Sequence, residues 1–322
     1  MSKTVLGQEE AKCRVITKLT RELGPKVCGL LEDPAVIEIM LNSDGKLWVE
    51  RLGSDMEEIG TMSASQAECL MGTLASLKRE ILTEKNPRLS CELPKEFFGA
   101  RFQGSIPPVV KAPSFAIRKR AIAVFTLRDY VRKGIMSESQ REIIEAAVSN
   151  RQNLLIAGGT GSGKTTLTNA VVQHITSVCP NDRIVTLEDT RELQCTAKNA
   201  ESMLTTEEVS MTSLLKDTLR YRPDRILVGE VRDGAALDLL MAWNTGHPGG
   251  VCTVHANSAH SALTRMELLV GMAVVGPMQT LIADAVNLVV YIEKCSGSRR
   301  IKEIVRVVGY DGQRYLTQQV GE

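Results

Sequence analysis

Residues Gly158 to Thr165 read GGTGSGKT, behind the apolar run NLLIA and ahead of TLTNAVVQHI, which has helical periodicity. That is the strand, loop and helix context in which G-x-x-x-x-G-K-[ST] cradles phosphates. Gly158, Gly161 and Gly163 let the backbone turn and bring its N–H groups to phosphate oxygens at a helix N-terminus. Gly159, Thr160, Ser162 and Thr166 complete the loop and its first helical turn. Lys164 supplies positive charge for the β- and γ-phosphates, and the Thr165 hydroxyl can ligate Mg²⁺. The chain is therefore expected to bind a nucleoside triphosphate.

Acids stand where hydrolysis of such a ligand needs them. The segment IVTLEDT ends a strand with Glu188 and Asp189, and RILVGE ends another with Glu230. A strand of this kind usually ends in Asp, whereas here Gly229 precedes Glu230. The expectation is that Thr165 and the phosphates hold Mg²⁺, with Asp189 and Glu230 acting through water, and that Glu230 or Glu188 orients the attacking water. A lone acid at a strand end is as readily a helix cap or a solvated charge; two in order behind a phosphate loop favour chemistry.

The segment GHPGGVCTVHAN, residues 246–257, sets His247 before a strand and His255 at its end. A buried histidine is more often a satisfied structural residue than a working one. Two of the four histidines in one glycine-rich element point instead to a γ-phosphate sensor. No Cys or His spacing around them resembles a zinc site.

The elements that carry these residues alternate. From Ser137 the chain reads helix, strand NLLIAG, phosphate loop, helix, strand DRIVTLED, helix MTSLLKDTLRY, strand RILVGE, helix GAALDLLMAWNTG and strand GGVCTVHA. Such alternation predicts an α/β domain with a mostly parallel sheet, helices on both faces, and a nucleotide at the carboxyl ends of the strands. Residues 1–120 read differently. A helix over Ala11–Leu31, a hairpin around Asn42-Ser-Asp-Gly45, a helix from Ser63 to Ile81 with Ser63 or Ser65 as cap and Glu68 as the partner of Ser65, and strands FGARFQGSI and SFAIRKR make a smaller α+β domain. Residues 121–136 form a connector with one short helix, and 137–322 are the phosphate-loop domain.

With 322 residues and 43% hydrophobic composition, the chain can bury a core in each of two domains. The 39 basic and 38 acidic residues leave no field to gather nucleic acid, and aromatics are only 4%, so no stable nucleic-acid binding is expected. Eight cysteines without a C-x-x-C pair read as reduced core residues of a cytoplasmic protein. MSKTVLGQEEAKCRV has no apolar signal region, and Leu268–Val286 is broken by Gly276-Pro277 into buried helices. Any membrane contact would be peripheral.

Taken together, GGTGSGKTT, TLEDTREL, PDRILVGEVRD and GHPGGVCTVHAN resemble the Walker A, Asp box, Walker B and His box of the secretion ATPases of type II and type IV systems. GARFQGSIPPVVKAPSFAIRKR and FTLRDYVRKGIMSESQ resemble the conjugative members of the type IV branch, so the likeness spans nearly the whole chain. The tetracysteine zinc element frequent in type II relatives is absent. The resemblance implies a RecA-like ATPase domain, ATP and Mg²⁺ as ligands, and a homo-oligomer, a hexameric ring, at inner-membrane components of a conjugative type IV secretion system. It implies that Arg101 and Arg118, with Arg120 a further candidate, reach the phosphates and that Phe125 and Leu127 pack on the adenine. The alternatives are a pilus or type II secretion motor and, from other classes, a DNA translocase or a small-metabolite kinase; the kinase would need an acceptor lid that the sequence does not offer.

Overall fold

The computed structural model describes residues 2–51, 54–119, 125–295 and 298–321. The chain divides into two compact units, Met1–Ile122 and Ala123–Glu322.

The first unit begins with α1 (Ser2–Glu32), which is interrupted at Gly24, where φ is 77°. Pro25 follows; it has no N–H to donate backwards but suits the first position of a new helical segment, so one expected helix becomes two. The hairpin arrives as the sequence predicts, with β1 (Val36–Leu41) and β2 (Lys46–Arg51) joined by a turn in which the Asp44 carboxylate accepts the Lys46 N–H at 3.0 Å. Next come β3 (Glu57–Thr61) and α2 (Ala64–Lys78). Ser63 caps α2 by accepting the Gln66 N–H at 3.2 Å, so the alternative cap at Ser65 with Glu68 does not form. Strands β4 (Arg88–Glu92), β5 (Arg101–Ser105) and β6 (Ser114–Arg118) complete an antiparallel sheet in the order β3-β2-β1-β6-β5-β4. Leu19, Leu23, Leu70 and Leu74 of the helices pack with Ile39, Val49, Phe102 and Ile117 of the strands as one core.

The second unit opens with α3 (Leu127–Arg132) and α4 (Glu138–Ser149), each started by a capping box, Thr126 with Asp129 and Ser137 with Gln140. Then follow β7 (Leu154–Gly158), α5 (Lys164–Val178), β8 (Ile184–Glu188), β9 (Ala200–Leu204), α6 (Met211–Thr218), β10 (Arg225–Val228), α7 (Ala235–Asn244), β11 (Val251–His255), α8 (Ala259–Val270), α9 (Gln279–Ala285), β12 (Leu288–Cys295), β13 (Ser298–Tyr310) and β14 (Tyr315–Val320). The sheet order is β14-β13-β12-β7-β11-β10-β8-β9. From β12 to β9 all pairings are parallel, and β13 and β14 extend the sheet antiparallel at one edge. Leu154 and Ile156 pack with α3, α4 and α5, while Leu155 and Ala157 pack with α6 to α9. Both faces are thus covered, as the continuous apolar runs require. Phe125 and the residues that follow it lie in this unit, with Leu127, Tyr130 and Met136 in its core. Of the cysteines only Cys252 is buried, and Cys13 and Cys69 are exposed, contrary to the core placement expected. Among the described residues no helix is long and apolar enough to cross a membrane.

Two buried polar side chains pin the amino-terminal edge of this sheet. Arg225, at 0% exposure, donates through Nε to Asp182 at 2.7 Å, through Nη1 to Gly249 O at 3.0 Å and through Nη2 to Val148 O at 3.2 Å. Asn153 accepts the N–H groups of Gly249 and Gly250 at 2.8 and 2.9 Å and donates to Ala285 O at 2.7 Å. Arg225→Ala removes one partner of a buried ion pair and orphans two carbonyls, and is expected to cost about 3–5 kcal/mol. Urea unfolding with an unchanged m-value checks this, and a loss below about 1 kcal/mol would contradict it.

Candidate active site

The parallel register brings the ends of β7, β11, β10 and β8 side by side, and the sequence-predicted residues stand on those ends. His255, the last residue of β11, pairs in register with Gly158 of β7. After Gly158 the chain turns through Gly161 (φ 70°) and Gly163 (φ 96°) into α5. Gly163 is the helix cap and has no side chain to offer, so the first N–H groups of α5 face the loop without a side-chain acceptor. The Ser162 hydroxyl, at 2% exposure, has no hydrogen-bond partner among the described residues. Lys164 is nearly as buried; its ammonium donates to Gly158 O at 3.0 Å and Gly159 O at 3.1 Å and lies 3.2 Å from Nδ1 of His255. An orphaned buried hydroxyl, open helix N–H groups and a curled ammonium fit a phosphate chain.

The two acids proposed to orient water differ. Glu188 is buried, and its Oε1 accepts the N–H groups of Glu192 at 2.8 Å and Leu193 at 2.7 Å. It holds the loop after β8. Its close packing explains the glycine before Glu230, since a Cβ on Gly229 would lie 3.1 Å from Glu188 Cγ. Glu230 is mostly buried too, but it faces side chains: Oε2 accepts from Arg232 Nε at 2.7 Å, and Oε1 lies 2.9 Å from His255 Nε2 without lining up as a hydrogen bond. Of the pair, Glu230 is the acid beside the Lys164 and His255 cluster.

The loop that Glu188 holds presents an acid that the motifs do not single out. Glu192 Oε2 accepts the Thr165 hydroxyl at 3.0 Å, and Asn169 fixes the same loop by donating to Glu192 O at 3.0 Å and accepting the Gln194 N–H at 2.8 Å. Asp189, the expected acid on the Mg²⁺ side, instead accepts the Thr205 hydroxyl at 3.0 Å and faces Arg232 Nη1 at 3.4 Å. Glu192 is four residues beyond Glu188 in TLEDTREL, a third acid in a short loop, and that spacing is the signal the sequence offers for it.

Burial, then the charge of Lys164, holds the His255 imidazole below its ordinary range, so it is neutral around neutral pH. His247 does not join it. It precedes β11, at the other end of the strand, with Nδ1 3.0 Å from Pro223 O, so it is a structural residue and not part of this cluster. Arg101 and Arg118 belong to the first unit, where they face each other across β5 and β6. Arg120 lies outside the described residues. Leu127 is 3% exposed in the core of the second unit, which removes it as an adenine surface, whereas Phe125 is half-buried with the Lys133 ammonium 3.6 Å from its ring centre.

Burial pushes the Glu188 carboxyl up to about 7 from an ordinary 4.5, against the two backbone N–H groups that favour its charge. Below 4.5 its contribution to stability is fully present, and it is lost as pH rises through about 7. Glu188→Gln keeps an oxygen for both N–H groups and cannot ionise, so it should gain melting temperature relative to the parent between about pH 5 and about pH 8. A difference that does not change with pH would contradict the buried, titrating carboxyl.

The family model described as "Type II/IV secretion system protein" matches residues 31–319. The chain is 48% identical to the conjugal transfer protein TrbB of Rhizobium radiobacter, over 96% of this chain and 95% of that one. It is 30% identical to the type IV secretion system protein VirB11 of Bartonella quintana, over 90% and 92%. Among solved structures, the Legionella pneumophila ATPase DotB superposes with a TM-score of 0.60 at 17% identity, covering 90% of this chain and 77% of that one. The pilus retraction motor PilT with bound ADP gives 0.58 at 17%, covering 91% and 81%. At those identities the likeness concerns the fold alone. Sequence agreement of this extent across both units shows that the chain belongs to the type II/IV secretion system protein family.

Proposed function

We propose that this protein hydrolyses ATP with Mg²⁺ and uses the energy to drive conjugative type IV secretion, in pilus assembly, substrate transfer or both. The observation that carries the reading is the contact of Lys164 with His255, and of His255 with Glu230, across three adjacent strand ends. In this mechanism Lys164 leaves its loop carbonyls to neutralise the phosphates, joined by the Ser162 hydroxyl and the first N–H groups of α5. Mg²⁺, when bound, offsets the charge that develops on the transferred phosphoryl group. Thr165 would hold it, with Glu192, which already meets the Thr165 hydroxyl, as the nearest acid. Glu230 orients the attacking water, and neutral His255 can donate to or accept from it as the γ-phosphate departs.

Relatives named for conjugal transfer, about half identical along almost their whole length, support the conjugative role. The reading includes a hexameric ring of this chain, peripheral at the inner membrane against other secretion components, and no stable hold on nucleic acid. Arg101 and Arg118 are then the arginines assigned to the phosphates, from this copy of the chain or a neighbouring one, with the two units working as amino-terminal and ATPase domains. Salt-dependent DNA binding would favour a translocase instead.

Lys164→Ala is expected to abolish ATP hydrolysis and plasmid transfer together while the fold survives. Glu230→Gln should keep ATP binding and lose turnover by about 10²-fold or more. Near-parental hydrolysis in either variant would overturn the assignment, and particle images with ATP that lack six-fold order would remove the ring.

A further inference from the structure

Arg232 lies within the segment PDRILVGEVRD but has no assigned role there, and it joins two acids that do. Its Nε and Nη2 lie 2.7 and 2.5 Å from one oxygen of Glu230, Oε2. Its Nη1 lies 3.4 Å from Asp189 Oδ2. Asp189 is fixed from its other oxygen by the Thr205 hydroxyl at 3.0 Å, and the Thr205 N–H donates to Glu188 O at 3.0 Å. The guanidinium therefore ties the acid that follows β10 to the loop that follows β8.

This division of Glu230 is informative. Oε2 is taken up by Arg232, whereas Oε1 is buried and accepts no hydrogen bond, with His255 and Lys164 on its side of the group. A carboxylate held through one oxygen by two guanidinium nitrogens loses much of its rotational freedom, which restricts the aim of the other oxygen. An isolated, half-exposed ion pair would contribute little to stability. The geometry gives Arg232 a different task.

We propose that Arg232 is a positioning residue for hydrolysis: by holding Oε2 it keeps Oε1 of Glu230 turned toward the phosphate loop, and through Asp189 it makes that aim depend on the loop after β8. The inference rests on the reading of Glu230 as the acid that orients water. Arg232 acts through Glu230 and needs no contact with nucleotide.

The test is a double-mutant cycle in the full-length protein, with ATP turnover, KM for ATP, ADP affinity and melting temperature measured for Arg232→Gln, Arg232→Lys, Glu230→Gln and the double variant. Arg232→Gln should lower kcat by about ten- to a hundred-fold with KM and ADP affinity nearly unchanged. Arg232→Lys, which keeps a donor on Oε2, should recover part of the loss. In the Glu230→Gln background the same change should have almost no further effect. An unchanged kcat, an equal loss in both backgrounds, or a raised KM and weakened ADP binding would overturn the proposal. Full turnover in Glu230→Gln would overturn the underlying reading of Glu230, and this inference with it, and is told apart because it needs no change at Arg232.

Discussion

The register of the parallel strands in the second unit is the constraint on which the rest depends. A strand that slips by one residue exchanges its two faces, and here both faces are apolar, so hydrophobic patterning alone specifies register weakly. Buried Arg225 and Asn153 supply what patterning lacks. Each bonds to more than one strand entry, and each would leave orphaned buried partners if a strand moved. Once the lower edge is pinned, the lengths of the strands decide what stands on the upper edge. Gly158, His255, Glu230 and Glu188 are brought together by that arithmetic and not by local sequence.

On the upper edge the acids divide the work by environment. Glu188 sits deep and satisfies two backbone N–H groups, which fixes the loop that carries Asp189 and Glu192. Its side chain packs closely on Gly229, where a Cβ would lie 3.1 Å from Glu188 Cγ. Glu230, one residue on, lies between the histidine and Arg232. The glycine that departs from the usual strand ending is thus the space that Glu188 occupies.

Much of this arrangement is legible in the residues themselves. The phosphate loop, the alternation of helices and strands, and the break in Leu268–Val286 all rest on local chemistry, glycine geometry and apolar runs, which a sequence displays directly. What is not legible there depends on partners distant in the chain. His247 and His255 share one glycine-rich segment, yet a five-residue strand puts them at opposite ends of the sheet. Glu192 and Asp189 are three residues apart, and the grips of Glu188 and Asn169 on the loop set Glu192 against Thr165 while Asp189 meets Thr205. Strands β12 to β14 lie beyond the last motif, where the antiparallel edge follows from pairing and not from periodicity. Leu127 is assigned to the adenine by resemblance alone, and only the packing of its helix shows that it lies in the core.

The central claim is that this edge senses the terminal phosphate through a neutral histidine lodged between Lys164 and Glu230. The direct measurement is ATP turnover, ATP and ADP affinity and melting temperature on His255→Ala. The account predicts a large fall in turnover with ADP affinity and melting temperature nearly unchanged, because ADP lacks the group that is sensed. A lowered melting temperature with matched losses of ATP and ADP binding would contradict it and return His255 to a structural role.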